Sequence, residues 1–514
     1  MPPPGEPVPA DPADWIERAA REHPGRVFIR TPAGRALTYA ALLEESARMA
    51  SALRRRGVGT GDRVLVRVEK SPEAILLYVA CLRLGAVFVP ANPAGTPHEF
   101  DHLLRDSAPT LAVVPAADQA TLGARARRAG VAHVETLDAR GGGSLTDLAR
   151  HGESTLTPAR PFDTGSLAAI VYTSGTTGRP KGAMLTRANL ASNAAALVHA
   201  WRFSGVDVLL HVLPLFHVHG LFVAINTVLA SASGMLLLPK FEGGATVRHL
   251  REVTVFMGVP THYTRLLQEE GLDRESTACM RLFVSGSAPL LAETHQAFAR
   301  RTGHLILERY GMTETLMNTS NPYAGPRVPG SVGPPLAGVS VRIAHPKSGA
   351  AEPAGTIGAL ELLGPNVFAG YWRDEEKTRG EFTADGWFRT GDVARIDERG
   401  YVWIVGRAKD LIISGGYNVY PKEVESELDA LAGIAESAVF GVPHPDFGEG
   451  VTAAVVLKSG ALATEAGLIE ALRARLSGYK VPKRVLLVAE LPRNAMGKVK
   501  KQVLRTDYAD LYRA

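Results

Sequence analysis

Two cysteines in 514 residues, Cys81 and Cys279, are too few and too far apart for a disulfide framework or a cysteine-based metal cluster. That scarcity suits a reducing cytoplasm. Long apolar runs are also missing: the richest, Ala74 to Pro90, is short for a membrane span and is broken by Arg83. It reads as a buried helix followed by a strand, so no membrane insertion is expected. The start, Met1-Pro-Pro-Pro-Gly-Glu-Pro, lacks the apolar core of a signal peptide. Charge of one sign is scarce as well, since 57 basic and 52 acidic residues leave only +5. No basic tract carries interleaved aromatics, which argues against a nucleic-acid partner. What remains is an ordinary globular composition, 46% hydrophobic and 21% charged, rich in Ala, Arg and Gly as in GC-rich bacterial genomes. The length calls for two or more domains.

The first half alternates helix-like and strand-like segments. A helix is expected from Leu37 to about Gly57, a strand at Arg63-Val-Leu-Val-Arg-Val, a helix over Pro72–Leu84 and a strand over Ala86–Pro90. Further strands are expected at Thr110 and Leu209. Such alternation implies α/β layers with largely parallel sheets. Arg140 to Ser154 reads as a surface connection. Short strands and Gly/Pro turns between Pro335 and Tyr401 predict a β-rich subdomain. A compact α+β unit of about a hundred residues follows. The expected division is therefore a large multi-sheet α/β domain over residues 1–406 and a small α+β domain over 407–514.

The chemistry begins at Tyr172-Thr-Ser-Gly-Thr-Thr-Gly-Arg-Pro-Lys-Gly182. Gly175 and Gly178 let the backbone approach an anion, Thr173, Ser174, Thr176 and Thr177 offer hydroxyls, and Lys181 adds positive charge. The missing Gly-Lys-Ser/Thr ending excludes a Walker loop. The segment follows the strand-like Leu167-Ala-Ala-Ile-Val-Tyr run and precedes a helix expected from Asn189. Four further motifs converge on a nucleotide. Ser285-Gly-Ser-Ala-Pro289 is a turn after a strand, and Glu308-Arg-Tyr-Gly-Met-Thr-Glu314 combines an aromatic face, a hydroxyl and a carboxylate. Trp387-Phe-Arg-Thr-Gly-Asp392 ends in a carboxylate suited to a ribose diol, and Pro492-Arg-Asn-Ala-Met-Gly-Lys498 presents a lysine in a flexible segment. His211, His217 and His219 lack a fourth ligand and argue against zinc.

Five motifs in this order resemble the acyl-adenylate-forming superfamily of acyl-CoA synthetases, luciferases and peptide-synthetase adenylation domains. The resemblance implies ATP, Mg²⁺ and CoA, with a small carboxylic acid as the remaining substrate. It assigns Thr173 to Lys181 to the β- and γ-phosphates, and Gly286, Ser287 and Ala288 to the adenine. Tyr310, stacking on the base, is flanked in the nucleotide site by Glu308, Arg309, Gly311 and Met312. Thr313 contacts the α-phosphate and Glu314 holds the metal. Asp392 and Arg407 hold the ribose, Lys498 offsets charge during adenylation, and Lys409 is the hinge of a mobile C-terminal domain. Ser414, Gly415, Gly416 and Tyr417 join the CoA tunnel after rotation.

Several stretches, among them Pro214-Leu-Phe-His-Val-His-Gly and Met280-Arg-Leu-Phe-Val-Ser, resemble the malonate-activating branch of that superfamily. Its pocket must be small and must neutralise a second carboxylate. Arg281 with His217 is the expected charge partner, and Val218 and Met317 restrict the space. Some relatives carry threonine at the position of Val218, which bears on methylmalonate. A ligase for another small, fatty or aryl acid remains open, as does an adenylation module loading a carrier protein.

Overall fold

The computed structural model describes residues 8–156, 162–173, 180–494 and 497–513. Two large sheets dominate the first part. One is seven-stranded, in the order Gly370–Tyr371, Lys181–Thr186, Leu167–Thr173, Val87–Pro90, Arg63–Val66, Leu111–Val114, His133–Thr136. The other is eight-stranded, and its parallel stretch runs through Val208–His211, Val255–Gly258, Leu282–Ser285 and Ile306–Met312, with Leu316–Ser320 antiparallel at one edge.

The helix Pro72–Leu84 shows how these sheets come together. Ser71 caps its start through the Ala74 N–H, Pro72 opens it, and Gly85 closes it in a left-handed conformation. The helix is apolar on every side and buried all round, packed in one core with residues of both sheets, such as Val64, Phe88, Leu209 and Met235. Arg83, the interruption in the apolar run, is buried too and donates to the Leu43 carbonyl and Ser46 Oγ. Among the described residues no helix is long and apolar enough to cross a membrane.

Locally the structure adds two elements. Lys181–Thr186, assigned no element above, is a strand that pairs antiparallel with Leu167–Thr173, Thr173 facing Lys181, and the helix expected from Asn189 begins at Arg187. Lys181-Gly-Ala-Met-Leu-Thr has a single β-branched residue, so cross-strand pairing rather than propensity makes it extended. The supposed connection between 140 and 154 holds a helix, Ser144–Arg150, that buries Leu145 and Ala149.

The β-rich subdomain is a four-stranded antiparallel sheet of Ser340–Ala344, Gly358–Leu363, Phe388–Ile396 and Val402–Arg407. Its last strand pairs as far as Arg407, opposite Asp392. Backbone pairing thus carries the large unit one residue past the expected 406/407 division. The turn Ala408–Asp410 then leads to a separate five-stranded sheet with the helices Pro421–Asp429, Glu465–Arg473 and Lys501–Asp507 around their own core.

Candidate active site

The parallel strands Val255–Gly258, Leu282–Ser285 and Ile306–Met312 deliver their C-terminal ends to one edge of the eight-stranded sheet, the edge where α/β folds take ligands. Ser285 pairs with Glu308, so Gly286 lies beside Arg309. A Cβ at Gly286 would stand 2.4 Å from Arg309 Cζ; only glycine leaves room for the guanidinium. Ser287 follows with φ 71°, rare for a residue with a side chain, and its Oγ lies 3.3 Å from His219 Nδ1.

Arg309 is the most informative residue of this edge. It is 3% exposed, yet among the described residues its Nε and Nη2 have no hydrogen-bond partner. Burial pulls its pKa down to about 9, which leaves it cationic at neutral pH. Burial, reinforced by the Arg309 charge, pushes His217 down to about 4 and His219 well below the usual range. Both imidazoles are therefore neutral, and His217 can donate or accept a hydrogen bond but supplies no countercharge. Val218 and Met317 are each 1% exposed in the same core. The Met317 carbonyl accepts from Asn193 Nδ2 at 2.8 Å. A Cβ on Gly311 would stand 2.4 Å from Met317 Cε, so the thioether lies against the strand that carries Arg309.

Arg281 is elsewhere. It precedes the Leu282–Ser285 strand, about 13 Å of extended chain from the C-terminal edge. Its Nε and Nη2 donate to the two Asp207 oxygens at 2.6 and 2.8 Å, and Nη1 donates to the Trp201 carbonyl at 2.9 Å. The Phe203 and Tyr323 rings flank it at 5.3 Å. Its guanidinium is consumed at the opposite end of the sheet, which corrects the expectation that it meets the acid.

On the nucleotide side, Tyr310 Oη donates to Asp392 Oδ2 at 2.5 Å, and Arg407 Nε meets Asp392 Oδ1 at 2.6 Å. Asp392, the expected ribose carboxylate, is thus buried and fixed between Tyr310 and Arg407. Glu308 Oε1 accepts from the Gly330 N–H at 3.0 Å, and burial raises its carboxyl to about 7. Thr313 and Glu314 occupy the tight turn between Ile306–Met312 and Leu316–Ser320. Burial raises the Glu314 pKa, and its Oε1 accepts from Tyr371 Oη at 3.0 Å. Lys181 Nζ lies 5.6 Å from the centre of the Tyr371 ring. One aromatic, which sequence reasoning passed over, therefore joins the loop lysine to the expected metal ligand. The signal available was only the Gly370-Tyr371-Trp372 run. Ser174, Gly175, Thr176, Thr177 and Gly178 lie outside the described residues.

A single buried carboxylate, oriented by Tyr371 near Lys181, fits Mg²⁺, which is held by one or two carboxylates together with substrate phosphates. Among the described residues no group of three or more His, Cys, Asp or Glu could hold a metal ion by itself.

The C-terminal domain brings Lys498 to the cleft. Gly497, at φ 74°, sits against Thr261 at the start of the helix Pro260–Leu266. The Lys498 N–H donates to Asn494 Oδ1 at 2.9 Å. The Lys498 side chain meets solvent, yet the protein around it lowers its pKa to about 8; Arg407 adds to that shift and Asp392 and Asp410 oppose it. A second contact across the domains joins Lys458 to Glu293 at 2.7 Å. The hairpin of Ile412–Ser414 and Tyr417–Val419 turns through Gly415 and Gly416, both at positive φ. Tyr417 is 60% exposed and stacks on Tyr479 of its own domain. The structure joins Tyr310, Asp392 and Arg407 and sets Lys498 near enough to feel the charges of Asp392 and Arg407.

Comparison with known proteins identifies the family. Residues 16–372 match the model of the AMP-binding enzyme family and 423–498 that of the AMP-binding enzyme C-terminal domain. The chain is 38% identical to the mitochondrial malonate–CoA ligase ACSF3 of Mus musculus, covering 92% of this chain and 87% of that protein. It is 36% identical to a feruloyl-CoA synthase of an Amycolatopsis species, covering 96% and 98%. Among solved structures, ATP-bound MatB from Rhodopseudomonas palustris is 52% identical, with TM-score 0.95 over 98% of this chain and 100% of that one. The apo form of MatB, at the same identity and coverage, superposes with TM-score 0.85. The chain as a whole thus superposes more closely on the ATP-bound form.

Proposed function

This chain belongs to the AMP-binding enzyme family, and from that premise we propose that it is a malonate–CoA ligase forming AMP. A malonate carboxylate oxygen attacks the α-phosphorus of ATP, pyrophosphate leaves, and a mixed anhydride forms. The CoA sulfur then attacks the acyl carbon, AMP departs, and the thiol proton passes to solvent.

The observation that carries the choice of acid is Arg309. A buried guanidinium with two unpartnered nitrogens is costly unless something fills the gap. The distal carboxylate of malonate fits it in charge, planarity and size. A neutral fatty or aryl tail would leave the same cation unpaired, and the buried Val218 and Met317 would narrow the room for such a tail. Neutral His217 supplies a hydrogen bond beside that carboxylate.

In the first step the work is positioning and charge compensation rather than acid–base transfer. Lys181 and the loop from Thr173 hold the β- and γ-phosphates, with Gly286, Ser287, Ala288 and Tyr310 around the base. Asp392 and Arg407 hold the ribose, and Thr313 meets the α-phosphate. Lys498, delivered by the small domain, sits where negative charge develops between carboxylate and phosphate. Mg²⁺, when bound, neutralises phosphate charge. Glu314 would hold it, with Tyr371 fixing the carboxylate. In the second step the domain turns about Lys409 and Ser414 to Tyr417 reach the thiol path. We place the reaction in the cytoplasm, where free thiols such as Cys81 and Cys279 persist.

The test supplies purified protein with ATP, Mg²⁺, CoA and a panel of malonate, methylmalonate, butyrate and ferulate, and follows AMP and acyl-CoA. Malonate should lead the panel. Turnover of butyrate or ferulate with malonate inert would overturn the assignment.

A further inference from the structure

Rotation of the small domain needs a pivot, and the structure shows what stops the pivot from spreading along the chain. On the upstream side, Arg407 is held twice to the large domain, by backbone pairing opposite Asp392 and by its side chain on Asp392 Oδ1 at 2.6 Å. On the downstream side, the guanidinium of Arg505, in the terminal helix Lys501–Asp507, reaches back to the same turn. Its Nη1 donates to the Lys409 carbonyl at 3.3 Å and lies 3.4 Å from Asp410 Oδ1. Arg505 and Asp410 are only 19% and 21% exposed, so both partners are held in place by packing. The terminal helix is itself tied to its domain through Lys501 and the buried Glu425, 2.5 Å apart.

We infer that Arg505 is a positioning residue for domain alternation, a clamp that ends the hinge at the 409–410 peptide. The argument is geometric. A peptide unit is planar, so the Lys409 carbonyl moves with the Asp410 nitrogen. Holding that carbonyl and the Asp410 carboxylate to the terminal helix makes everything from the Lys409 carbonyl onward part of the small domain. Everything up to Arg407 is part of the large one. The torsions left between the two clamps are those of Ala408 and Lys409. The turn that bridges them is one short 3₁₀ turn, closed by the Leu411 N–H on the Ala408 carbonyl at 3.2 Å. Confining rotation to two residues gives each half-reaction one defined docking orientation instead of a family of loose ones, which is the orientational part of catalysis.

This inference rests on the ligase reading and on Lys409 as hinge, and it is tested by second-site rescue. Enzyme is first loaded with acyl-adenylate from ATP and the acid it turns over. CoA is then added and thioester formation is followed in a single turnover. Lys409→Pro fixes one pivot torsion and should slow thioester formation by roughly fiftyfold while adenylation, read by pyrophosphate exchange, stays within about threefold. Arg505→Ala in that background frees the Asp410 side of the turn and should restore thioester formation about tenfold. Restoration of this kind is not what a merely destabilising substitution gives. A double variant as slow as Lys409→Pro alone, or a Lys409→Pro variant with normal thioester formation, overturns the inference. Failure of the wild-type chain to make any thioester would instead overturn the ligase reading beneath it, and the inference with it.

Discussion

Arg281 and Arg309 sit at opposite ends of the same pair of parallel strands, and they differ in how their donors are used. Arg281 is 23% exposed on its side chain, but its hydrogen-bonding capacity is spent on Asp207 and Trp201. Arg309 is more deeply buried and has unpartnered nitrogens beside Gly286. A buried cation with its partners supplied by the fold is structural, whereas one with missing partners is waiting for an anion. The location agrees, because ligands gather at the carboxyl ends of parallel strands.

The comparison can be broken most decisively at Arg309. Arg309→Met should cost about 4 kcal/mol in transition-state stabilisation for malonate, a roughly thousandfold fall in kcat/KM, because it strands the distal carboxylate. The same variant should lose little with butyrate. Equal losses for both acids would mean that Arg309 merely supports the fold.

Lys498 offers a third cation to set beside these two, exposed in the cleft rather than packed. With its pKa lowered to about 8, the cation is present below that pH and is lost as pH rises through it. The adenylation kcat/KM for ATP should therefore fall about tenfold per pH unit above 8, since this parameter reports the free enzyme. Lys498→Arg, which stays charged, should remove that limb from the profile; a limb that persists would assign it to another group.

Arg281→Met should act on stability and not on chemistry. Asp207 is left buried with the Ser204 and Thr254 hydrogen bonds, so about 2 kcal/mol should be lost, read as a lower urea midpoint. The KM for malonate should stay within twofold, and a large rise would restore Arg281 to the substrate site. The smallest effect is expected at Val218. Val218→Ala opens room for one methyl group and should raise the methylmalonate-to-malonate ratio of kcat/KM about fivefold. No change in that ratio would remove Val218 from the pocket wall.

The contrast between the two arginines also marks how far the sequence could be read. The helix Pro72–Leu84 was legible because its cap, its opening proline and its closing glycine are all local signals. The α/β layering and the β-rich unit before residue 407 were legible for similar reasons, as was the nucleotide chemistry carried by five ordered motifs. The strand Lys181–Thr186 was not, because its conformation comes from a partner strand. The assignment of the second carboxylate to Arg281 failed for a related reason: Asp207, which consumes that guanidinium, lies 74 positions earlier in the chain. Arg309 was noticed only as part of a nucleotide motif. Its unfilled donors become visible when Gly286 is placed against it. Tyr371, 57 positions from Glu314, had no signal that linked the two.

The most direct test of the account is a crystal structure with a non-hydrolysable analogue of malonyl-adenylate. The distal carboxylate should lie about 2.8 Å from Nε or Nη2 of Arg309, with Arg281 still on Asp207. A carboxylate bound elsewhere, with Arg309 unpaired, would contradict it.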